Sequence, residues 1–163
     1  MNKRCVWLAT ISAAQLLLVA CTSDNQPEMD LVNDPFPAAQ AELREAIQAI
    51  SADVVAANIE GLQAIHLDGD KFTKFGPRNF ERQDVASTNQ SEAAFFSSVS
   101  ITDYEARDLK VDVFGDIGIA TFHPQVTSIV DGEERRTSGR QTLVFLRTQA
   151  GWKIVHEHGT GRN

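Results

Sequence analysis

Two imidazoles, His156 and His158, stand two residues apart near the end of a 163-residue chain. On a strand that spacing points both rings to one side, the disposition needed for two ligands of a metal or two hydrogen-bonding groups at a pocket rim. By the same alternation Trp152 and Ile154 share their face, while Lys153, Val155 and Glu157 take the other. A third metal ligand would have to come from His66, His123 or a carboxylate, and no spacing marks one. The expectation is therefore no metal and no cofactor. Arg140 falls on a face with Ser138, Thr142, Val144 and Leu146, where a guanidinium calls for an anion or a carboxylate such as Glu157 or Asp112. Tyr104 is the single tyrosine and enters the first long strand. Arg140, His156, His158 and Tyr104 are the expected ligand-binding set, and no complete catalytic constellation is visible.

The other ionisable candidates have simpler roles. Asp68-Gly69-Asp70 reads as a turn, His66 as the end of a helix where a partly charged imidazole suits the dipole, and Arg135 and Arg136 as solvated neighbours of a hairpin turn. His123 precedes Pro124 inside a strand, and proline cannot donate to the ladder, so an edge or a bulge is expected there.

The elements that must position these groups follow from periodicity. Leu43, Ile47, Ile50 and Val54 recur at helical spacing between Ala38 and about Ala57. Asn58 interrupts, and a shorter helix runs from Ile59 to about Leu67 with Leu62 and Ile65 inward. Phe72 to Phe75 alternates as a short strand ended by Gly76-Pro77. Residues 79–90 show no period, and a third helix begins at Ser91. Beyond about Ser100 the chain reads as strand: Asp108 to Phe114, Ile117 to Val130, Arg136 to Thr148, and the closing Trp152 to Thr160. Gly115-Asp116, Asp131-Gly132 and Ala150-Gly151 are the turns, and Asp131-Gly132 is the strongest hairpin signal. Helices followed by long antiparallel strands make an α+β domain whose sheet coils around the helices into a cone with an open mouth.

Composition sets the class and the address. With 42% hydrophobic and 23% charged residues the chain is ordinary globular material for one domain. A formal charge of −7 with no basic stripe excludes a nucleic-acid partner. Lys3 and Arg4 precede an apolar run, Cys5 to Ala20, too short to span a membrane as a helix. It ends in Leu18-Val19-Ala20-Cys21, which resembles the lipobox of bacterial lipoproteins. That resemblance implies cleavage before Cys21, lipid on its sulfur, and a membrane partner held through that lipid. It places the protein in the bacterial cell envelope, at the outer membrane facing the periplasm, since Thr22 rather than Asp follows the cysteine. Residues 1–20 are thus the signal peptide, 21–37 a lipidated tether with Pro27, Pro35 and Pro37, and 38–163 the domain. Cys5 leaves with the signal and Cys21 is taken by lipid, so no disulfide framework is available.

The order of elements, with Ile59-Glu60-Gly61-Leu62, Ile65-His66, Phe72-Thr73-Lys74-Phe75-Gly76, Val113-Phe114-Gly115-Asp116-Ile117-Gly118-Ile119-Ala120, Gly139-Arg140-Gln141-Thr142 and Gly151-Trp152-Lys153-Ile154-Val155-His156-Glu157-His158, resembles the NTF2-like superfamily. The likeness is nearest to its SnoaL-like and DUF4440 branches and to the association domain of calcium/calmodulin-dependent protein kinase II. It covers about Ala38 to Thr160 and implies the cone fold. It further implies a small-molecule-binding or dimerisation module, with a homodimer as the expected assembly. The alternative it implies is an isomerase, dehydratase or hydrolase of a small apolar substrate. In the kinase association domain an arginine of the corresponding strand lines a carboxylate pocket, which implies such a role for Arg140.

Overall fold

The computed structural model describes residues 29–77 and 79–161. The signal segment, Cys21 and the first part of the tether lie outside the described residues. Three helices, α1 (Pro37–Ala56), α2 (Ile59–Ile65) and α3 (Val85–Ser98), pack on six strands. These are β1 (Thr73–Gly76), β2 (Asn79–Gln83), β3 (Ser100–Phe114), β4 (Ile117–Val130), β5 (Glu133–Thr148) and β6 (Gly151–Gly161). Among the described residues no helix is long and apolar enough to cross a membrane.

Local chemistry explains most boundaries. Asn58 breaks α1 from α2 because its side chain accepts from the Gly61 amide and caps the second helix. α3 starts six residues earlier than its apolar pattern suggests. Its signal is a cap, in which the Asp84 carboxylate accepts from the Ser87 amide at 2.8 Å while the Ser87 hydroxyl lies near the Asp84 backbone. Asp131 and Gly132 both adopt positive φ, 55° and 82°, as a tight two-residue hairpin turn requires.

The sheet runs β2-β1-β6-β5-β4-β3. The four long strands are antiparallel as expected, but β1 joins β6 in parallel, so the sheet is mixed. β4 is an interior strand despite Pro124. The ladder tolerates the proline beside an irregularity in β3, where the register shifts between Arg107 and Lys110 and Asp108 takes φ 53°. Leu43 and Ile47 of α1 meet Val111, Val113, Ala120, Phe122, Leu143, Phe145, Trp152 and Ile154 on the concave face to form the core. Gly118, paired with Val113 and Phe145, lies on that face, and a Cβ there would strike Leu43.

One irregularity decides which groups reach the interior. Val144 pairs with His156 but Phe145 with Ile154, so Val155 is an extra residue, a β-bulge, in β6. A one-residue insertion inverts every side chain beyond it. Trp152 and Ile154 are buried as expected, but past the bulge Glu157 and Gly159 continue the inner face, and His158 is exposed. The bulge falls where the neighbour of β6 changes from His66, bridged to Ile154, to Thr73, paired with His156.

A candidate ligand site in the cone

Glu157, 6% exposed, is turned inward by the bulge and meets groups from three other elements. His66 follows the last turn of α2. Its Nε2 lies 3.0 Å from Glu157 Oε1 and its Nδ1 lies 2.8 Å from Asn89 Oδ1 on α3. Both ring nitrogens thus lie against oxygen acceptors, an arrangement that favours the protonated ring. Lys74, directly opposite Glu157 in the parallel β1–β6 ladder, places Nζ 2.8 Å from Glu157 Oε2 and also bonds Glu92 of α3. Asn89 and Glu92 reach the same spot because residues three apart share a helix face.

Two cations and two carboxylates make a charge-balanced quartet. Burial works against ionisation of Glu157, but the Lys74 ammonium and the His66 ring outweigh it and hold its pKa down at about 2. Burial likewise opposes charge on His66, and Glu157, Glu92 and Asn89 overcome it, so that pKa is raised. Lys74 is raised too, against the cost of burial, by Glu157 and Glu92. Burial, followed by the charge of Glu157, pushes the Tyr104 hydroxyl up. Its own hydroxyl bonds none of the described residues.

His66, Glu92, Glu157 and Tyr104 line one side of a cavity of about 130 Å3. Ile47, Ile50 and Val54 of α1, Leu62 of α2, Phe96 of α3, and Phe122 and Leu143 of the sheet supply the apolar remainder. His66, Glu92 and Glu157 bring ligating atoms within 4.8 Å of one another, a donor set that could hold a metal. Lys74 already bridges the two carboxylates, so its ammonium supplies the positive charge a metal would bring.

The four residues read from the sequence as a ligand set divide between the two faces. Tyr104 lines the cavity. His156, His158 and Arg140 share the outer face with one another, beyond the bulge and away from it. There the Thr73 hydroxyl bonds His156 Nδ1 at 2.8 Å, Phe75 stands edge-on to both imidazoles, and Arg140 is exposed. The convergence of these three with Tyr104 is therefore not formed, and the reason is the inverted alternation. Glu157, one of two carboxylates considered as a partner for Arg140, is committed to Lys74 and His66. His66 follows its helix as expected, but it serves as an ion-pair member rather than a simple cap. Asp68 and Asp70 lie in a turn around Gly69, which takes φ 122°.

A family profile for the SnoaL-like domain matches residues 43–160. The chain belongs to the SnoaL-like domain family. No curated protein matches it. Solved NTF2-like structures share its fold at low identity. A proposed dehydratase of the NTF2-like family from Streptomyces avermitilis superposes with a TM-score of 0.70 at 19% identity, covering 77% of this chain and 97% of that one. An NTF2-like superfamily protein from Salmonella enterica gives 0.69 at 17%, covering 77% and 92%. A proposed calcium/calmodulin-dependent kinase II association domain from Exiguobacterium sibiricum gives 0.64 at 12%, covering 77% and 95%. The SnoaL-like cone is thus common to proteins of differing description, and the chemistry of this one must come from its own interior.

Proposed function

We propose that this SnoaL-like domain is a small-molecule-binding module, lipid-anchored through Cys21 in the bacterial envelope at the outer membrane facing the periplasm. The observation that carries the binding function is the 130 Å3 cavity itself. Apolar side chains of the helices and the sheet share its lining with Ser51, Tyr104, Gln141, Glu92 and the His66–Glu157 pair, the mixture typical of ligand pockets. A single small ring is the size of guest such a space takes. Glu157 is poorly suited to be a general base near neutral pH, because a pKa of about 2 leaves it little affinity for a proton. That favours binding over catalysis. Protein purified from its own organism should carry a small molecule detectable by mass spectrometry, and Ile50→Trp, which fills the cavity, should lose it. Equal recovery from both forms, or none from either, refutes the reading. For the anchor, Cys21→Ser should move the protein from the membrane to the soluble fraction, and unchanged retention would end that part.

The enzymatic alternative has one observation in its favour, the His66 ring in the cavity wall, whose pKa Glu157 and Glu92 raise against the cost of burial. A proton donor beside Tyr104 would suit dehydration or isomerisation of a small apolar substrate. His66→Gln should then abolish turnover of the co-purified molecule while leaving it bound; bound ligand with no turnover by the parent protein discards this reading.

A further inference from the structure

A second chamber, of about 300 Å3, adjoins the first and shares Val54, Phe96 and Tyr104 with it. Phe95, Val99, Ile101, Val126 and Val130 supply most of its other walls. Ser128, Thr137 and Tyr104 add hydroxyls, and Arg135 is the charged group in its lining. In the β4–β5 ladder Arg135 pairs with Ser128 and Thr137 with Val126, and all four side chains line this chamber. Arg135 is exposed beside the hairpin turn, as expected, and also lines the chamber at its open edge.

Among the described residues Arg135 has no carboxylate partner, whereas its neighbour Arg136 pairs with Glu134 at 3.1 Å. In a chain with 22 acidic residues and a charge of −7, a partner would be easy to supply. An unpaired guanidinium fork beside an apolar hollow fits a ligand with a planar anion at one end and hydrocarbon at the other. We propose that the outer chamber binds an amphipathic organic anion, its carboxylate on Arg135 and its apolar body against Ile101, Val126 and Phe96. This deepens, and rests on, the reading of the cone as a ligand-binding module. Tyr104 and Phe96 form the partition toward the inner cavity.

The chain from Thr22 onward retains every described residue and serves for the test. Calorimetric titration with octanoate, decanoate and octanol should show the carboxylates binding more tightly. The preference for octanoate over octanol should be about tenfold, as for one charge-assisted pair at a partly open site. Each added methylene should strengthen binding about three- to fourfold until the chamber is full. Arg135→Gln, an exposed position that leaves the fold intact, should remove the preference while preserving octanol binding. Val126→Phe should weaken both ligands. Equal binding of octanoate and octanol, or a preference that survives Arg135→Gln, overturns the assignment yet leaves the inner-cavity reading standing. Failure of both ligands to bind folded protein also overturns it, and the co-purification test then decides the inner cavity independently.

Discussion

Replacing Glu157 by Gln tests the quartet most directly. The substitution keeps volume and some hydrogen bonding but leaves the Lys74 and His66 charges facing one carboxylate, Glu92, whose side chain is 19% exposed against 8% for Glu157. Removing one member of a buried ion pair costs about 3–5 kcal/mol, because the remaining charges stay desolvated without compensation. For a domain of this size that corresponds to a fall in melting temperature of roughly 10–20 °C. The pH profile supplies a sharper signature. His66 is raised above its ordinary 6.5, so its contribution is full below that value and is lost as pH rises through the folded pKa. Glu157 is lowered from 4.5, so its contribution is present above 4.5 and is lost as pH falls toward about 2. The parent protein should therefore be most stable between these two ordinary values and weaken on both sides. In Glu157→Gln the acid limb should shrink, and the alkaline limb should flatten because His66 has lost its main partner. Urea unfolding followed by the fluorescence of Trp152, which is buried in the core, measures both effects. A loss under about 1 kcal/mol with an unchanged pH profile would refute the buried quartet as a source of stability.

Three further outcomes are expected. Tyr104 is the single tyrosine, so its near-ultraviolet absorbance can be titrated without interference, and tyrosinate should form only well above the ordinary value of 10.0; titration at that value would place the ring in water. Gly118→Ala should cost about 1–3 kcal/mol in urea unfolding, because the added methyl meets the fully buried Leu43; an unchanged midpoint would mean that α1 can lift from the sheet without penalty. The outer sheet face carries His156, Arg140 and the exposed Phe75, and a homodimer formed through it should show twice the chain mass by light scattering and revert to monomer in Phe75→Glu; a monomer at high concentration excludes it.

The α+β class, the three hairpin turns and the four long strands were legible in the chain because each depends on short-range chemistry. Asp131-Gly132 can adopt the positive φ pair that a tight hairpin demands, and Ile117 to Val130 sustains strand character over its observed length. The apolar positions of α1 recur at helical spacing whatever lies above them. α3 was less legible because its start depends on the cap between Asp84 and Ser87, with little apolar periodicity behind it.

The interior of the cone was decided elsewhere. Strict alternation put His156 and His158 on the face of Trp152, and one extra residue at Val155 put Glu157 there instead. Nothing in Val155 or its neighbours marks a bulge, since the insertion exists only relative to the register of β5. The partners of Glu157 are equally remote: His66 and Lys74 precede it by most of the domain, and they meet it only because β1 joins β6 in parallel. Sequence alone determined the four long strands and the turns between them, since these answer to local φ, ψ and periodicity, whereas β2 (Asn79–Gln83) showed no period. Which side of β6 faces inward, and so which charges line the cavity, was decided by strand register, a property of the assembled sheet.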